Sequence, residues 1–335
     1  MPPVVVVGGG ISGIACAQAL NSRGLSVRLI DRGRTVGGRM ASRAIRDSGT
    51  DWDGHIVDIG ASYFTAQDEE FAALVENLVD EGIARAWTDT FHVASPDGID
   101  GVKTGPMRYT ATRGLRTIIE HLAARLPNTE VISGREVSSV SHDGGVLTVD
   151  GDEAAAVAVC VPGPQATPLF DQSAPSLSAV IRATGQVLWE PVIAVTAVFD
   201  APTWIDFDAI FVNDDPVLTW IANDGSRRGT DAPVLVAHVQ PVFAARHLAQ
   251  PNEVLPAALG AIGRVLTIAD HPVWADVQRW TYAKPMAASD DSHFIDEHLN
   301  LGLAGDAWAG GPRVETAWLS GHRLGHALAD RQGAS

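Results

Sequence analysis

Lysine is nearly missing from this chain. Among 335 residues only Lys103 and Lys284 carry an ammonium, and arginine supplies the rest of the positive charge. Basic residues number 24 against 40 acidic ones, a formal net charge of -16, so the chain offers no electrostatic footing for a nucleic-acid partner. Cysteine is just as scarce. Cys16 and Cys160 cannot make a disulfide scaffold and read as small buried hydrophobes. No apolar run approaches the ~20 residues needed to span a bilayer, and no membrane partner is expected. Met1-Pro2-Pro3 leads straight into a strand, with no basic region and cleavable apolar segment, so a cytoplasmic location is expected. Internal repeats and low-complexity linkers are absent as well. What remains, at 46% hydrophobic content, is an ordinary globular core in a chain longer than one average domain.

The richest stretch lies near the start. Four valines, Val4 to Val7, read as a buried parallel strand, and Gly8, Gly10 and Gly13 then open a helix running to about Arg23. Gly8 permits a tight turn, Gly10 lets the backbone approach a pyrophosphate, and Gly13 lets helix and strand pack closely. Ser12 and the free N–H groups of the helix start would meet the phosphates. Asp31 follows a second apolar strand, Ser26–Ile30, at the spacing where a carboxylate bonds a ribose diol. Glycine trio, strand, helix and acid in register predict a dinucleotide-binding domain.

Farther on, 68–85 and 114–126 have the apolar spacing of amphipathic helices. Val131–Val140 and Val146–Val149 read as the strands of a hairpin, and Ala154–Val161 as a buried strand ended by Pro162-Gly163-Pro164. The texture then changes. Val192–Phe199, Ile210–Asn213, Leu218–Ala222, Val234–Val239 and Val277–Tyr282 are strand-like, with one helix near 253–266 among them, and suggest an antiparallel sheet. Leu301-Gly302-Leu303-Ala304-Gly305-Asp306 and a helix from about Val314 return to the first texture. The expected fold is α/β: a discontinuous dinucleotide-binding domain of 1–66, 127–166 and 284–335. A second α+β domain of 67–126 and 167–283 is built on a mainly antiparallel sheet.

A second glycine pair narrows the cofactor. Gly37-Gly38-Arg39-Met40, six residues after Asp31, resembles the extension of glutathione-reductase-like flavoproteins, and in particular the Gly-Gly-Arg signature of the flavin-dependent amine oxidases. The arginine fork suits phosphate oxygens. Together with Asp58-Ile59-Gly60-Ala61-Ser62-Tyr63-Phe64-Thr65, Arg108-Tyr109 before Gly114-Leu115, Arg279-Trp280 and Gly305-Asp306, the chain resembles the renalase family, short members of that superfamily. The resemblance runs nearly end to end. It implies non-covalent FAD held by Gly8, Gly10, Ser12, Gly13, Asp31, Arg32, Gly38, Arg39 and Met40. Ala61, Ser62 and Tyr63 would touch the flavin, Val137 the adenine, and Gly305 and Asp306 the ribityl chain or pyrophosphate. Val314, Glu315 and Ala317 would open a helix whose N–H groups face the flavin N1–O2 edge. Neither cysteine falls in the C-terminal segment where related oxidases attach flavin covalently.

The resemblance also implies a substrate: 2- or 6-dihydro isomers of NAD(P), giving NAD(P)+ and, with O2, hydrogen peroxide. Many relatives that oxidise amines place a lysine near flavin N5 through a water, and that position falls near Ala194, in a lysine-free stretch. A dihydropyridine becomes aromatic on losing hydride and needs no base. The alternatives are an oxidase or dehydrogenase of small amines, and a flavin-holding protein without turnover. Candidate substrate-facing side chains are Tyr63, Trp220, His238, Trp280, Tyr282 and Trp308. Arg227-Arg228 is suggestive of a phosphorylated dinucleotide. His322 and His326 have metal-binding spacing but no completing ligand, so no metal is expected, and Asp290-Asp291 with His293 and Glu297 reads as a solvated acidic loop.

Overall fold

The computed structural model describes residues 1–308 and 310–333. It divides into two compact units, 1–38, 119–189 and 284–335 in one, 39–118 and 190–283 in the other.

The first unit is a six-stranded sheet in the order Phe294–Asp296, Leu301–Leu303, Ala156–Val159, Val4–Val7, Val27–Asp31, Thr129–Ser133. Every neighbouring pair is parallel except the first. All four residues of Val4–Val7 are buried, as a central parallel strand covered on both faces requires. Helix Ile11–Ser22 lies against the last helix, Val314–Gly333. A Cβ at Gly321 would strike the Ser12 carbonyl oxygen, and one at Gly325 would lie 2.5 Å from that of Cys16. Two glycines four apart thus bring the helices into backbone contact.

Expectation and structure part in the middle of the chain. The run 131–140 is two strands: Thr129–Ser133 pairs with Val27–Asp31, and Val140–Asp143 pairs with Val146–Val149. Gly134, at φ +75°, takes the chain out of the first sheet. Gly144 and Gly145, both at positive φ, form the two-residue turn such a hairpin prefers.

The second unit holds a seven-stranded sheet in the order Trp274–Pro285, Trp189–Val198, Val234–Val239, Leu218–Asn223, Ala209–Val212, Arg85–Ser95, Gly98–Thr110. It is mainly antiparallel, with Ala209–Val212 parallel to Arg85–Ser95. Residues of odd register such as Ile193, Val195, Leu235 and Ala237 bury one face under helix Leu255–Leu266. The opposite face carries Trp220, Ala222, Ala209 and Phe211. A smaller hairpin, Ser42–Ala44 with Ile56–Asp58, belongs to this unit. The helix expected over 68–85 is Glu69–Asp80, capped by the Asp68 carboxylate on the Glu70 and Phe71 N–H groups and ended by Gly82 at φ +70°. Residues beyond it enter a strand. The helix expected over 114–126 is Arg116–Ala123.

The units divide the chain at other points than the sequence suggested. Residues 39–66 sit with the second unit, where buried arginines bind the 42–58 hairpin. Residues 167–189 sit with the first, because Leu177, Val180 and Ala183 pack against Val157 and Leu301. Among the described residues, no helix is long and apolar enough to cross a membrane.

Candidate functional site

In the first unit the backbone turns after Val7 at Gly8, whose φ is +107°. A Cβ there would lie 2.7 Å from the Cys160 carbonyl oxygen, and one at Gly13 would collide with the Gly8 carbonyl oxygen. These contacts fix the turn and press the helix onto the strand. Gly10, the N-cap, is extended and offers no side-chain cap, so the first N–H groups of the helix lack intrahelical partners. Ser12 is buried, and its Oγ makes no hydrogen bond among the described residues. Open N–H groups and a buried hydroxyl at a helix start are the donor set that a pyrophosphate needs.

The second glycine pair closes directly on the first. Gly37 N–H donates to the Gly9 carbonyl at 2.9 Å, and a Cβ on Gly38 would lie 3.2 Å from Gly10 Cα. Asp31 accepts the Gly9 N–H at 2.5 Å and the Gly33 N–H at 2.6 Å, one on each carboxylate oxygen. Its carboxylate braces the glycine loop and keeps further lone pairs for a ribose diol. Val137 is buried in the stretch between Thr129–Ser133 and Val140–Asp143, outside both ladders. Arg32 points to solvent, 3.7 Å from Glu136.

At the end of Leu301–Leu303, Gly305 donates its N–H to Ser320 Oγ at 3.0 Å, with Asp306 buried beside it. Glu315 and Ala317 are buried in the first turn of the last helix, which begins at Val314. Arg313 stands 3.8 Å from Glu315 Oε2. Trp308 packs on this unit's own core near Phe294, the ring centroids 6.4 Å apart. His322 stacks on Trp318, and its Nε2 lies 3.3 Å from that of His326. Among the described residues, no group of three or more metal-ligating side chains gathers.

In the second unit Arg39 opens the chain and its Nη1 donates to the Ala283 carbonyl at 2.9 Å. Met40 is buried. Gly60 must be glycine, since a Cβ would strike the Arg39 carbonyl oxygen, and Ala61 N–H donates to that same oxygen at 2.8 Å. Trp280 Nε1 donates to the Ile59 carbonyl at 2.5 Å. Its half-buried indole therefore braces the 59–62 loop. Ser62 Oγ, in contrast, is buried with no partner among the described residues. Tyr282 is half-buried on the strand Trp274–Pro285.

Below the loop lies a charge network that the sequence did not reveal. Arg228 Nη2 donates to Asp58 Oδ2 at 2.5 Å, its Nε to the Ile56 carbonyl at 3.0 Å and its Nη1 to the Ala111 carbonyl at 2.5 Å. Arg227 donates to Asp224 through Nε at 3.0 Å and also through Nη2, and its Nη1 donates to the Ser62 carbonyl at 3.1 Å. His55 Nε2 lies 3.0 Å from Asp224 Oδ2, and Ser42 Oγ donates to Asp58 Oδ1 at 2.6 Å. Burial alone pushes the Asp224 carboxyl up, yet the guanidiniums of Arg228 and Arg227 outweigh it and hold it well below the usual carboxylate range. Burial likewise works against the Arg228 cation, but Asp224 and Asp58 raise it above its ordinary value. The dinucleotide-phosphate role suggested for Arg227-Arg228 is overturned. Both guanidiniums are buried and committed to aspartates.

One face of the large sheet gathers the remaining candidates. Ala194 pairs with His238, His238 with Trp220, and Trp220 with Phe211, so the four side chains form one cross-strand row. Trp220 and Phe211 pack with Tyr63, Phe91 and Trp87; Tyr63 is 5.6 Å from Trp220 and 5.2 Å from Phe91 by ring centroid. Burial pushes the Tyr63 phenol up, opposed by the charge and hydrogen bond of Arg108. Phe91, Phe211, Trp87 and Arg108 were not singled out as site residues from the sequence. Only Arg108-Tyr109, as a family motif, hinted at them.

Residues 6–78 match the NAD(P)-binding Rossmann-like domain family, and residues 87–324 match the family of flavin containing amine oxidoreductases. Protoporphyrinogen oxidase 2 of Arabidopsis thaliana is 37% identical over 75 residues, which are 22% of this chain and 13% of that protein. Flavin-containing amine oxidase A of Sus scrofa is 40% identical over 78 residues, 23% of this chain and 14% of that protein. Cyclohexylamine oxidase from Brevibacterium oxydans shares the fold at a TM-score of 0.75 and 14% identity, with 99% of each chain covered. These similarities establish the superfamily and stop short of its renalase branch. With a glycine cradle suited to a flavin dinucleotide in its Rossmann-like unit and a match that covers most of its length, the chain belongs to the family of flavin containing amine oxidoreductases.

Proposed function

We propose that the protein is an FAD-dependent oxidase that removes hydride from a carbon bonded to nitrogen in a small substrate, with non-covalent FAD and molecular oxygen as the final acceptor. The family match and the likeness to an enzyme described as a cyclohexylamine oxidase favour an amine. The observation that carries the reading is the row His238, Trp220 and Phe211 on one sheet face, beside Tyr63. FAD held by the glycine cradle would supply the hydride acceptor and, with oxygen as final acceptor, the chemistry that gives hydrogen peroxide. The chain's own residues bind and orient. Ring faces at Trp220 and Tyr63 suit a flat or apolar substrate, and His238 is the titratable group on the row. Tyr63, kept protonated by burial, acts as a hydrogen-bond donor and not as a base. Both cysteines are buried in the first unit, and the Cys160 thiol together with burial pushes Cys16 up, which disfavours a thiolate for covalent flavin attachment.

A second reading, oxidation of 2- or 6-dihydro-NAD(P), is favoured by Ala194. It occupies the row next to His238, near the position where the sequence resemblance would put the lysine that many amine-oxidising relatives use. An amine must be a free base before hydride leaves, whereas a dihydropyridine releases no proton. Anaerobic stopped-flow absorbance of the flavin-loaded protein separates the readings. The panel is primary and secondary amines, 2-dihydro-NAD, 6-dihydro-NAD and ordinary NADH. Rapid bleaching by amines alone supports the first reading, and bleaching by a dihydro isomer alone supports the second. A flavin that none of them reduces overturns both and leaves a flavin-holding protein without turnover.

A further inference from the structure

Three arginines are buried among the described residues: Arg108, Arg227 and Arg228. Two of them share Asp58 and Asp224 in a network where every cation meets a carboxylate. Arg108 is the exception. Only 7% exposed, it makes no ion pair among the described residues. Its Nη1 donates to the Asp89 carbonyl oxygen, and its Cζ stands 4.0 Å from the Phe91 ring centroid and 6.0 Å from that of Tyr63. Gly105 leaves room for it, since a Cβ there would lie 3.0 Å from Arg108 Nη2.

A guanidinium withdrawn from water without a counter-charge is unfavourable, and aromatic faces offset only part of that. The same cluster holds a second unmatched donor. Trp220 Nε1 is buried and makes no hydrogen bond among the described residues. Trp220 and Tyr63 are the rings that place the cluster on the candidate substrate face, their centroids 5.6 Å apart. An unpaired cation and a spare N–H donor among flat rings complement one chemistry: a planar or ring-bearing molecule with an anionic group.

We propose that Arg108 is a substrate-binding residue that anchors an anionic group, carboxylate or phosphate, on the oxidised molecule. The link to oxidation rests on the function proposed above; the binding itself does not. For an amine substrate the anchor selects an amino-acid-like zwitterion over a simple amine or diamine. For a dihydronicotinamide it selects the phosphate-bearing nucleotide over the bare ring. Specificity here comes from a buried charge that a neutral ligand leaves unmatched.

The test is a titration of the flavin-loaded protein with benzoate, phenyl phosphate, benzamide and benzylamine, read by tryptophan emission and by flavin absorbance. At least one anion is expected to saturate about tenfold more tightly than benzamide, the scale of one charge-assisted hydrogen bond. Which anion does so names the source of the charge. Arg108→Met should abolish that preference while benzamide binding persists, and Arg108→Lys should retain part of it. Equal binding of benzoate, phenyl phosphate and benzamide by the unaltered protein overturns the proposal. So does failure of both anions to saturate, or an anion preference that survives in Arg108→Met. If Arg108→Met does not fold, the unaltered protein and Arg108→Lys still decide. An error in the oxidase reading would show separately, as anion binding to a flavin that no substrate reduces.

Discussion

Replacing Arg228 by methionine is the most direct test of the buried charge network. Methionine is apolar and flexible enough to fill most of the space, so the cavity contribution is small. What disappears is the single bond to Asp58, the bonds to Asp224 and two bonds to the carbonyls of Ile56 and Ala111. Removing one partner of a buried ion pair costs about 3–5 kcal/mol, because the remaining charge stays buried. Asp58 keeps Ser42 Oγ and the Leu115 N–H, and Asp224 keeps Arg227. The expected loss is therefore at the lower end, ~3 kcal/mol, set against a total stability of ~5–15 kcal/mol. Urea unfolding followed by tryptophan emission reads this well, since Trp52, Trp87, Trp204, Trp220, Trp274 and Trp280 all lie in the second unit. With a slope of roughly 1–3 kcal/mol per molar, the midpoint should fall by about 1–3 M. Arg46→Met, at an exposed position, should stay within about 0.5 kcal/mol and serves as the control. A loss under about 1 kcal/mol for Arg228→Met would refute the claim that the network stabilises the 42–58 hairpin.

The same network sets an acid limit. Because the folded-state Asp224 carboxyl is depressed, its contribution is complete above the unfolded value near 4 and is lost as pH falls below it. Stability of the second unit should thus be flat in this respect from pH 7 to about pH 5 and drop below pH 4, and Asp224→Asn should flatten that drop in acid-unfolding curves. Gly13→Ala drives a methyl into the Gly8 carbonyl, so the protein should purify with little flavin, read as the ratio of absorbance at the flavin and protein bands. Full flavin content would contradict the tight helix–strand contact. Asp31→Asn removes an acceptor from the Gly9 or Gly33 N–H, and should weaken FAD binding by about 1–2 kcal/mol, roughly tenfold, by fluorescence titration of the apoprotein.

How much of this was readable in advance follows from how local each signal is. Gly8, Gly10, Gly13 and Asp31 lie within 24 residues, each with its own backbone requirement, so the cradle was legible as a pattern. The strands Val234–Val239 and Leu218–Asn223 announced themselves by β-branched and aromatic residues. Arg85–Ser95 and Gly98–Thr110 did not. Gly101, Gly105 and Pro106 dilute their alternation, and their register shifts at three places. With those strands hidden, the meeting of Phe91 and Arg108 with Tyr63 and Trp220 was hidden too. Arg227-Arg228 looked suggestive of a phosphorylated dinucleotide because one true partner, Asp58, lies 170 residues from Arg228 in sequence. Long-range charge pairing leaves no periodicity to read.

The glycine contacts between Ile11–Ser22 and Val314–Gly333 have a consequence for how the chain is made. The helix that opens the cofactor cradle is made well before the helix that lies against its backbone at Ser12 and Cys16. Strand Leu301–Leu303, which extends the same sheet beyond Ala156–Val159, is also made later. The cradle therefore stays unfinished until that second helix has been made, with its first helix missing one wall. Cofactor capture in this sense waits on a distant segment: a flavin can be held in full only after the helical turns that carry Gly321 and Gly325 have docked onto a segment made some three hundred residues earlier.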